Sequence, residues 1–247
     1  MKPVLILFLI FVCGLSFGQI RTVEYFNSKW EKTKEKKAKI RRVIMMDNDT
    51  TFALTDYTKR GKLLMKGKYR SVDPLIENGF FEFYDRKTQL RYASGYYTNG
   101  QMTGVWKYYT NNYYVVHEID YDIIERRYKE CGDVKSILMT NEADRKNFKN
   151  AMYQGYPFSK FEEFLYQNAT YPPMAEHLLQ QGAFVAQFKI SNFGQVCEPK
   201  IVVSPSKDLS RELLRLISIS SGWQPAKIDD EPIQMLLTLP VVFRLPK

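Results

Sequence analysis

Residues that commonly carry catalysis are scarce in this chain. It has two histidines, His117 and His177, and neither has a Cys or His at metal-ligand spacing nearby. No Gly-x-Ser-x-Gly, phosphate-cradling glycine loop or dinucleotide fingerprint occurs. The neighbouring acids Asp229 and Asp230 lie in a predicted turn, where such side chains are usually solvated. We therefore predict a non-enzyme that uses no cofactor and no metal.

Cysteine is also scarce, with three in the whole chain, too few for a disulfide framework. Cys13 lies in the amino-terminal apolar run, and Val12 before it is larger than the small residue that lipoprotein sites use. Because an exported chain meets an oxidising compartment, a bridge between Cys131 and Cys197 is allowed. The sequence favours two separate, half-buried thiols and leaves their pairing open.

The first residues predict an export signal. Lys2 precedes an apolar run from Val4 to Val12, and Ser16-Phe17-Gly18 is a small-x-small cleavage site. The apolar stretch has roughly 14 residues, fewer than the ~20 that a membrane-spanning helix needs. We expect residues 1–18 to be removed and the mature protein to lie in the periplasm of a Gram-negative cell. The alternative is an uncleaved segment that anchors the chain in the inner membrane.

The charge balance is basic, with a formal net charge of +9. Eight Lys and Arg residues fall within Lys29–Arg42. Export excludes nucleic acid as a partner, so this charge favours anionic lipid heads, cell-wall polymers or an acidic protein face. The simpler interpretation is a solvated helix or strand edge.

The uneven distribution of proline and tyrosine predicts two domains. Pro74 is the one proline between Gln19 and Tyr156, whereas nine follow from Pro157 onward, and eleven tyrosines lie between Tyr57 and Tyr121. The predicted units are a β-rich domain over residues 19–133, a linker over 134–157 and an α+β domain over 158–247. Within the linker, residues 140–152 read as a short helix.

An imperfect repeat with an offset of 25 residues marks the tyrosine-rich part. Gly79, Phe81, Phe83 and Tyr84 return as Gly104, Trp106, Tyr108 and Tyr109, and "MKGKY" at 65–69 returns as "ASGYY" at 93–97. The runs "FFEFY" and "VWKYY" alternate with the strand period, and "RG" at 60–61, "NG" at 78–79 and "TNG" at 98–100 predict hairpin turns. The pattern predicts antiparallel hairpins whose aromatic side chains form the core of a thin sheet.

This repeat resembles the MORN-like repeats found in proteins of toxin–antitoxin systems. The run from Gly95-Tyr96-Tyr97-Thr98-Asn99-Gly100 to Gly104-Val105-Trp106-Lys107-Tyr108-Tyr109 follows that unit closely. The copy that begins at Gly67 is looser. The resemblance covers about residues 52–121 and implies curled antiparallel hairpins rather than a particular activity.

The last ninety or so residues predict the order helix–strand–strand–helix–strand. A first helix starts at Pro172-Pro173, with Thr170 as its cap and Gly182 as its stop. Strands over 183–191 and 196–204 flank the turn "NFGQ". In the second helix, Asp208 is the predicted cap, Gly222 the stop, and the apolar stripe consists of Leu209, Leu213, Leu216 and Ile217. The last strand contains Pro240, which suits the edge of a sheet.

These landmarks resemble the TonB carboxy-terminal domain over about residues 158–246. The matching residues are Tyr171, Pro172, Ala175, Gly182, Gly194, Trp223, Pro225, Ala226, Pro240 and Phe243. Leu179 and Asp230 depart from it, because the family often has glycine at both positions. The resemblance implies an α+β fold with a three-stranded antiparallel sheet and two helices, preceded here by the antiparallel hairpin region.

The resemblance also implies a periplasmic coupling protein similar to the TonB energy transducer, which acts in transmembrane transport by binding an outer-membrane transporter or another envelope protein. In that family, a peptide of the transporter adds a strand beside the last strand of the domain. The residues that correspond here are Asn168, Gln234, Met235, Leu236, Leu237, Thr238 and Leu239. Two alternatives remain open: the edge pairs with a second copy as a homodimer, or the chain is a non-energised scaffolding protein of the envelope.

Overall fold

The amino-terminal part of the chain folds as one antiparallel meander. A computed structural model describes residues 21–48, 50–110, 113–131 and 147–245. Eight strands form a sheet in which the spatial order follows the chain order. They are β1 (Arg21–Phe26), β2 (Ile40–Asn48), β3 (Thr51–Thr58), β4 (Leu63–Val72), β5 (Leu75–Tyr84), β6 (Arg91–Thr98), β7 (Gln101–Tyr109) and β8 (Val115–Asp120). The predicted antiparallel hairpins are therefore present, and a short 3-10 turn at Glu35–Lys37 precedes β2.

The aromatic residues of this sheet form its core, as predicted. Phe81, Phe83 and Trp106 are fully buried on the inner face of the sheet. Two glycines make room for them. A Cβ on Gly67 would lie 2.1 Å from the ring of Phe81, and one on Gly95 would lie 2.2 Å from the ring of Trp106. Each glycine therefore lets an aromatic ring of the next strand lie across the backbone, which explains why glycine and aromatic recur together in the repeat.

The predicted hairpin turns are correct at two of the three positions. Residues 60–61 and 99–100 form the turns between β3 and β4 and between β6 and β7. Asn78-Gly79 instead lies within β5, and the hairpin between β4 and β5 turns at Asp73-Pro74. Gly79 has a φ of +128° there, and its backbone pairs with Tyr97. The Asn-Gly pair serves an irregular strand rather than a turn.

The carboxy-terminal part is α+β, in agreement with the sequence. The elements are α1 (Ile123–Arg127), β9 (Phe148–Lys149), β10 (Met152–Tyr153), α2 (Ser159–Asn168), α3 (Pro173–His177), β11 (Gly182–Ile190), β12 (Val196–Val203), α4 (Lys207–Ile219), β13 (Trp223–Gln224), β14 (Ala226–Ile228), β15 (Glu231–Ile233) and β16 (Met235–Phe243). The main sheet has the order β12-β11-β16, a second sheet pairs β10 with β13, and a third has the order β15-β14-β9. Helix α2 and the short strands had not been predicted. Within the described residues, no helix combines the length and hydropathy needed to cross a membrane.

Three predictions about helix ends are wrong. The cap of α4 is Ser206, whose hydroxyl accepts from the amide of Leu209, and Asp208 lies buried in the first turn. Helix α3 has no side-chain cap, because its cap position is Pro172, and the hydroxyl of Thr170 lies 3.4 Å from the ring nitrogen of His117 instead. Gly182 does not end α3 but begins β11. In each case the residue that a local rule had assigned to the cap or stop instead contacts a distant part of the chain.

The predicted connecting helix is not present where the structure describes it. Residues 140–146 of that helix and the signal segment 1–18 lie outside the described residues. Phe148 and Lys149 form β9 and pair with Ile228 and Lys227 of β14. The side chain of Phe148 packs against the core of the carboxy-terminal part. Burial of that ring and pairing with β14 favour strand over helix there.

The preference for separate thiols is also wrong. Cys131, which follows α1, and Cys197 of β12 form a disulfide, with their Cα atoms 5.7 Å apart. The two residues are 66 positions apart and belong to different predicted units. Their proximity depends on how those units pack, which no local pattern could show.

Helices α3 and α4 lie between the eight-stranded sheet and the three-stranded sheet. The predicted stripe of α4, Leu209, Leu213, Leu216 and Ile217, is buried in the core with β11 and β16. The opposite, polar face of α4 is also buried. Asp208 and Glu212 are hydrogen-bonded to Tyr97 and Tyr121 on the eight-stranded sheet side. Met174 of α3 contributes to the core of that sheet.

Candidate functional site

Strand β16 forms one edge of the three-stranded sheet. It pairs with β11 over nine residues without a bulge, from Gly182 opposite Phe243 to Ile190 opposite Met235. Within the described part of the chain, no strand pairs with its other side. Residues 235–239 of the predicted edge segment lie in this strand, and their role in binding a partner stays a prediction.

The side chains of β16 alternate between the core and the solvent. Leu239 is fully buried, and its neighbours at Leu237 and Val241 pack against the same core. Leu236 and Val242 are 46% and 60% exposed, so apolar groups lie on the outer face of the edge strand. A strand whose exposed face is apolar and whose edge is unpaired favours association with another chain.

Proline at position 240 indicates which main-chain groups of β16 point outward. Pro240 lies opposite Val185 and has no amide hydrogen to donate. Within a sheet, proline is tolerated where its nitrogen faces away from the neighbouring strand. Because hydrogen-bonding direction alternates along an antiparallel strand, Leu236, Thr238 and Val242 then direct their amides to the open side. Leu237 and Leu239 direct theirs to β11.

The opposite edge of the sheet, β12, is covered near its start by the segment that follows α1. The amide of Glu198 in β12 donates to the carbonyl of Lys129 at 3.0 Å, and the amide of Cys131 donates to the carboxylate of Glu198 at 3.1 Å. The disulfide from Cys131 to Cys197 fixes this segment beside β12. The two edges therefore differ at Glu198, where another segment of the chain covers β12, whereas no described strand pairs with the outer side of β16.

The structure brings together most, but not all, of the predicted site residues. Residues 235–239 lie in β16, and Gln234 directly precedes it with a buried side-chain amide nitrogen that has no partner among the described residues. Asn168 ends α2, where its side chain donates to the carbonyl of Phe164 at 2.8 Å and its own carbonyl accepts from Arg215 at 3.0 Å. Both of these hydrogen bonds join Asn168 to helices and not to β16. Val242 was missed, although the period of the strand could have indicated it.

Buried charges hold the carboxy-terminal part of the chain against the eight-stranded sheet. Asp56 of β3 accepts two hydrogen bonds from Arg42, at 2.8 and 2.9 Å, and lies 2.8 Å from the imidazole of His177 on α3. Burial raises the pKa of Asp56, but the hydrogen bonds from Arg42 and His177 outweigh burial and hold the pKa below its usual value. The carbonyl of His177 also accepts from the indole of Trp30 at 2.7 Å. Helix α3 is therefore held to the sheet from two directions.

A second set of buried contacts holds α4. Arg211 donates to the carbonyl of Met102 at 3.1 Å and to the carboxylate of Glu125 on α1. Asp208 is nearly fully buried and accepts from Tyr97, and burial raises the pKa of Asp208 to about 7. Sequence reasoning missed this interface because Asp208 and Arg211 have the spacing of an ordinary solvated helix face.

The described residues contain no cluster of three His, Cys, Asp or Glu side chains that could hold a metal ion. His117 is exposed on β8, with its ring nitrogen 3.4 Å from the hydroxyl of Thr170. His177 is committed to Asp56 and is largely buried. Both histidines thus take part in contacts between the two parts of the chain.

Comparison with known proteins supports the resemblance for the carboxy-terminal part. Residues 167–245 match the family described as the Gram-negative bacterial TonB protein C-terminal. The match runs from the end of α2 through β16 and leaves the eight-stranded sheet uncovered. No curated protein and no solved structure matches the chain. The matched family is a non-enzymatic protein-interaction domain of the bacterial envelope, so this part of the chain is TonB-like.

Proposed function

We propose that this chain is a periplasmic protein that binds an outer-membrane partner by adding an extended peptide of that partner to β16. The observation that carries the proposal is the open edge of β16, which has outward amides at Leu236, Thr238 and Val242. The TonB-like match over residues 167–245 supports the class of partner. An outer-membrane transporter is the first candidate, and another envelope protein is the broader class.

The chemistry of the edge fits recognition of a strand. Main-chain hydrogen bonds supply affinity in this mode of binding, and pockets or exposed side chains at alternate positions supply selection. Leu236 and Val242 provide apolar contacts on the outer face, and Thr238 between them provides a hydroxyl that contacts Gln187 at 3.3 Å. Pro240 removes one ladder donor, so we expect the peptide to pair mainly with the half of β16 before that residue.

The test is titration of the chain from Gln19 onward with peptides from the amino-terminal segments of candidate transporters. Thr238→Pro removes an outward amide and leaves the inward ladder to β11 intact, so we expect at least tenfold weaker binding. Thr238→Ala is the matched control, because it keeps the amide and removes only the hydroxyl. Leu237→Pro removes an inward amide, so we expect it to lower the unfolding midpoint instead.

Two results would reject this mode of binding. One is unchanged affinity of a folded Thr238→Pro variant for a peptide that the unsubstituted chain binds. The other is equal loss in Thr238→Ala, which would assign the effect to the side chain. Circular dichroism of each variant establishes whether it is folded.

A homodimer through β16 is the competing use of the same edge. In that case the chain alone would sediment as a dimer, and Thr238→Pro would convert it to a monomer. If the chain without peptide stays monomeric at the concentrations used in the peptide titration, the result supports a partner other than a second copy of the chain.

A non-energised scaffolding role is the second candidate function. It is favoured by the packing of α3 and α4 on the eight-stranded sheet. A transducer uses a long periplasm-spanning segment, often rich in proline, to reach its partner, whereas here the carboxy-terminal part is fixed against the rest of the chain. Membrane fractionation with amino-terminal sequencing of the mature protein separates the two. A cleaved chain in the periplasmic fraction supports the adaptor or scaffold, and an uncleaved chain in the inner membrane supports a transducer.

A further inference from the structure

We propose that a basic cleft between the eight-stranded sheet and α3 binds a ligand that carries several phosphate groups. The cleft has a volume of about 1000 Å³. Its cationic side chains come from three neighbouring connections of the sheet: Lys39, Lys59, Arg60, Lys62, Arg86 and Lys87. This site is separate from β16, and the proposal does not depend on the peptide-binding function.

Six cations and two acids line the cleft. None of the six forms an ion pair within the described part of the chain, whereas Lys68, Arg91 and Lys107 elsewhere on the sheet each pair with a carboxylate. The ammonium groups of Lys59 and Lys62 donate to main-chain carbonyls, which hold them in place without cancelling their charge. Cations that outnumber the neighbouring acids raise the local positive potential and favour an anionic ligand.

The two acids that line the cleft are already engaged. One oxygen of Asp85 accepts from the amides of Lys87 and Thr88 and from the hydroxyl of Thr88. Glu176 is hydrogen-bonded to Tyr92, and burial raises the pKa of Glu176 above its usual value. The hydrogen bonds to Asp85 lower the pKa of that carboxyl, so it keeps its negative charge, but the six cations still outnumber the two acids.

The shape of the site separates it from a simple basic surface. The cations surround a concave space whose walls include Tyr84, Tyr92 and Leu179, so a ligand can enter and contact aromatic and apolar groups. Lysine is a common phosphate ligand as a point charge, and arginine adds planar, bidentate donation. Several phosphate groups on a compact scaffold, such as a sugar ring, would contact the cations, while the scaffold would contact the aromatic and apolar side chains of the cleft. The source of the phosphates is either a soluble molecule or a lipid headgroup.

The experiment titrates the chain from Gln19 onward by calorimetry with inositol hexakisphosphate at low and physiological salt. Flotation with phosphatidylcholine vesicles, with and without phosphatidylglycerol, tests the lipid source. Arg86→Gln/Lys87→Gln removes two exposed cations of the cleft. Lys107→Gln/Lys200→Gln is the matched control, because it removes the same number of positive charges from β7 and β12, outside the cleft.

We expect the cleft variant to bind inositol hexakisphosphate at least tenfold more weakly and the control variant to bind as the unsubstituted chain does. Cleft-dependent binding only to phosphatidylglycerol vesicles would assign the phosphates to a lipid headgroup. The proposal is overturned if no probe binds at low salt, or if both variants lose the same affinity, because net charge alone would then explain binding. Equal thermal midpoints of the two variants exclude unfolding as the cause, and Thr238→Pro should leave this binding unchanged.

Discussion

The phenol of Tyr97 donates a hydrogen bond to the carboxylate of Asp208 at 3.1 Å, across the contact between β6 and α4. Both residues are nearly fully buried, and the second carboxylate oxygen of Asp208 has no partner among the described residues. Lys207 on the same helix contacts the carboxylate of Glu77 on β5 close by. The two parts of the chain are thus joined by buried polar groups whose ionisation matters for stability.

Asp208 should make stability fall as pH rises from about 4 to about 7. Burial raises its pKa in the folded chain from 3.8 to about 7, so the folded state binds more protons than the unfolded state in that window. This difference corresponds to about 4 kcal/mol, which is lost once Asp208 must ionise. Asp208→Asn removes the titration, so the variant should gain stability relative to the unsubstituted chain as pH rises.

The measurement is urea unfolding of both chains at several pH values between 4.5 and 8. Comparing the two chains cancels the contributions of other titrating groups. One of these is Asp56, whose lowered pKa makes stability fall at acid pH. A difference between them that does not vary over this range would show that Asp208 ionises normally.

Asp56→Ala should cost about 3–5 kcal/mol, because it leaves the buried guanidinium of Arg42 without its counter-charge. Asp47→Ala is the control, since Asp47 pairs with Lys68 at an exposed position and should cost less than about 1 kcal/mol. Chemical denaturation measures both. If both variants lose less than about 1 kcal/mol of the free energy of unfolding, water must solvate the guanidinium of Arg42 in place of Asp56.

Trp223→Ala should cost about 3–5 kcal/mol of the free energy of unfolding. The indole is 5% exposed, packs against Phe161 with ring centroids 4.8 Å apart and donates to the hydroxyl of Ser220 at 3.0 Å. Phe193→Ala, at an 82% exposed ring, should change stability by less than about 0.5 kcal/mol. A loss below about 1 kcal/mol for Trp223→Ala would indicate that the indole has another role.

Limited proteolysis should cut the chain between residues 134 and 157, as expected from the predicted linker. The pairing of β9 and β10 with β14 and β13 protects residues 148–153, so we expect the cut before Phe148. Because the disulfide joins Cys131 to Cys197, the fragments should migrate as one band without reductant and as two bands with it. Two bands without reductant would argue against the bridge, and cleavage confined to the termini would argue against the linker.

Elements whose formation depends on neighbouring residues could be predicted from the sequence. Strand alternation in "FFEFY" and "VWKYY" predicted β5 and β7 as strands with a buried aromatic face. The apolar spacing of Leu209 to Ile217 predicted α4 and its core-facing side, and Pro240 predicted an edge strand at β16. Period and proline chemistry act within a few residues, so they can be read without knowledge of the fold.

Features that join distant segments depend on tertiary packing and could not be predicted from the sequence. The face of α4 with Asp208 and Arg211 looks solvated in sequence, yet Tyr97 and Glu125 meet it from elements about a hundred positions away. The disulfide, and the strand rather than helix at Phe148, follow from the same packing. A charged helix face is stable when buried only if distant donors and acceptors match it, and no local pattern records that match.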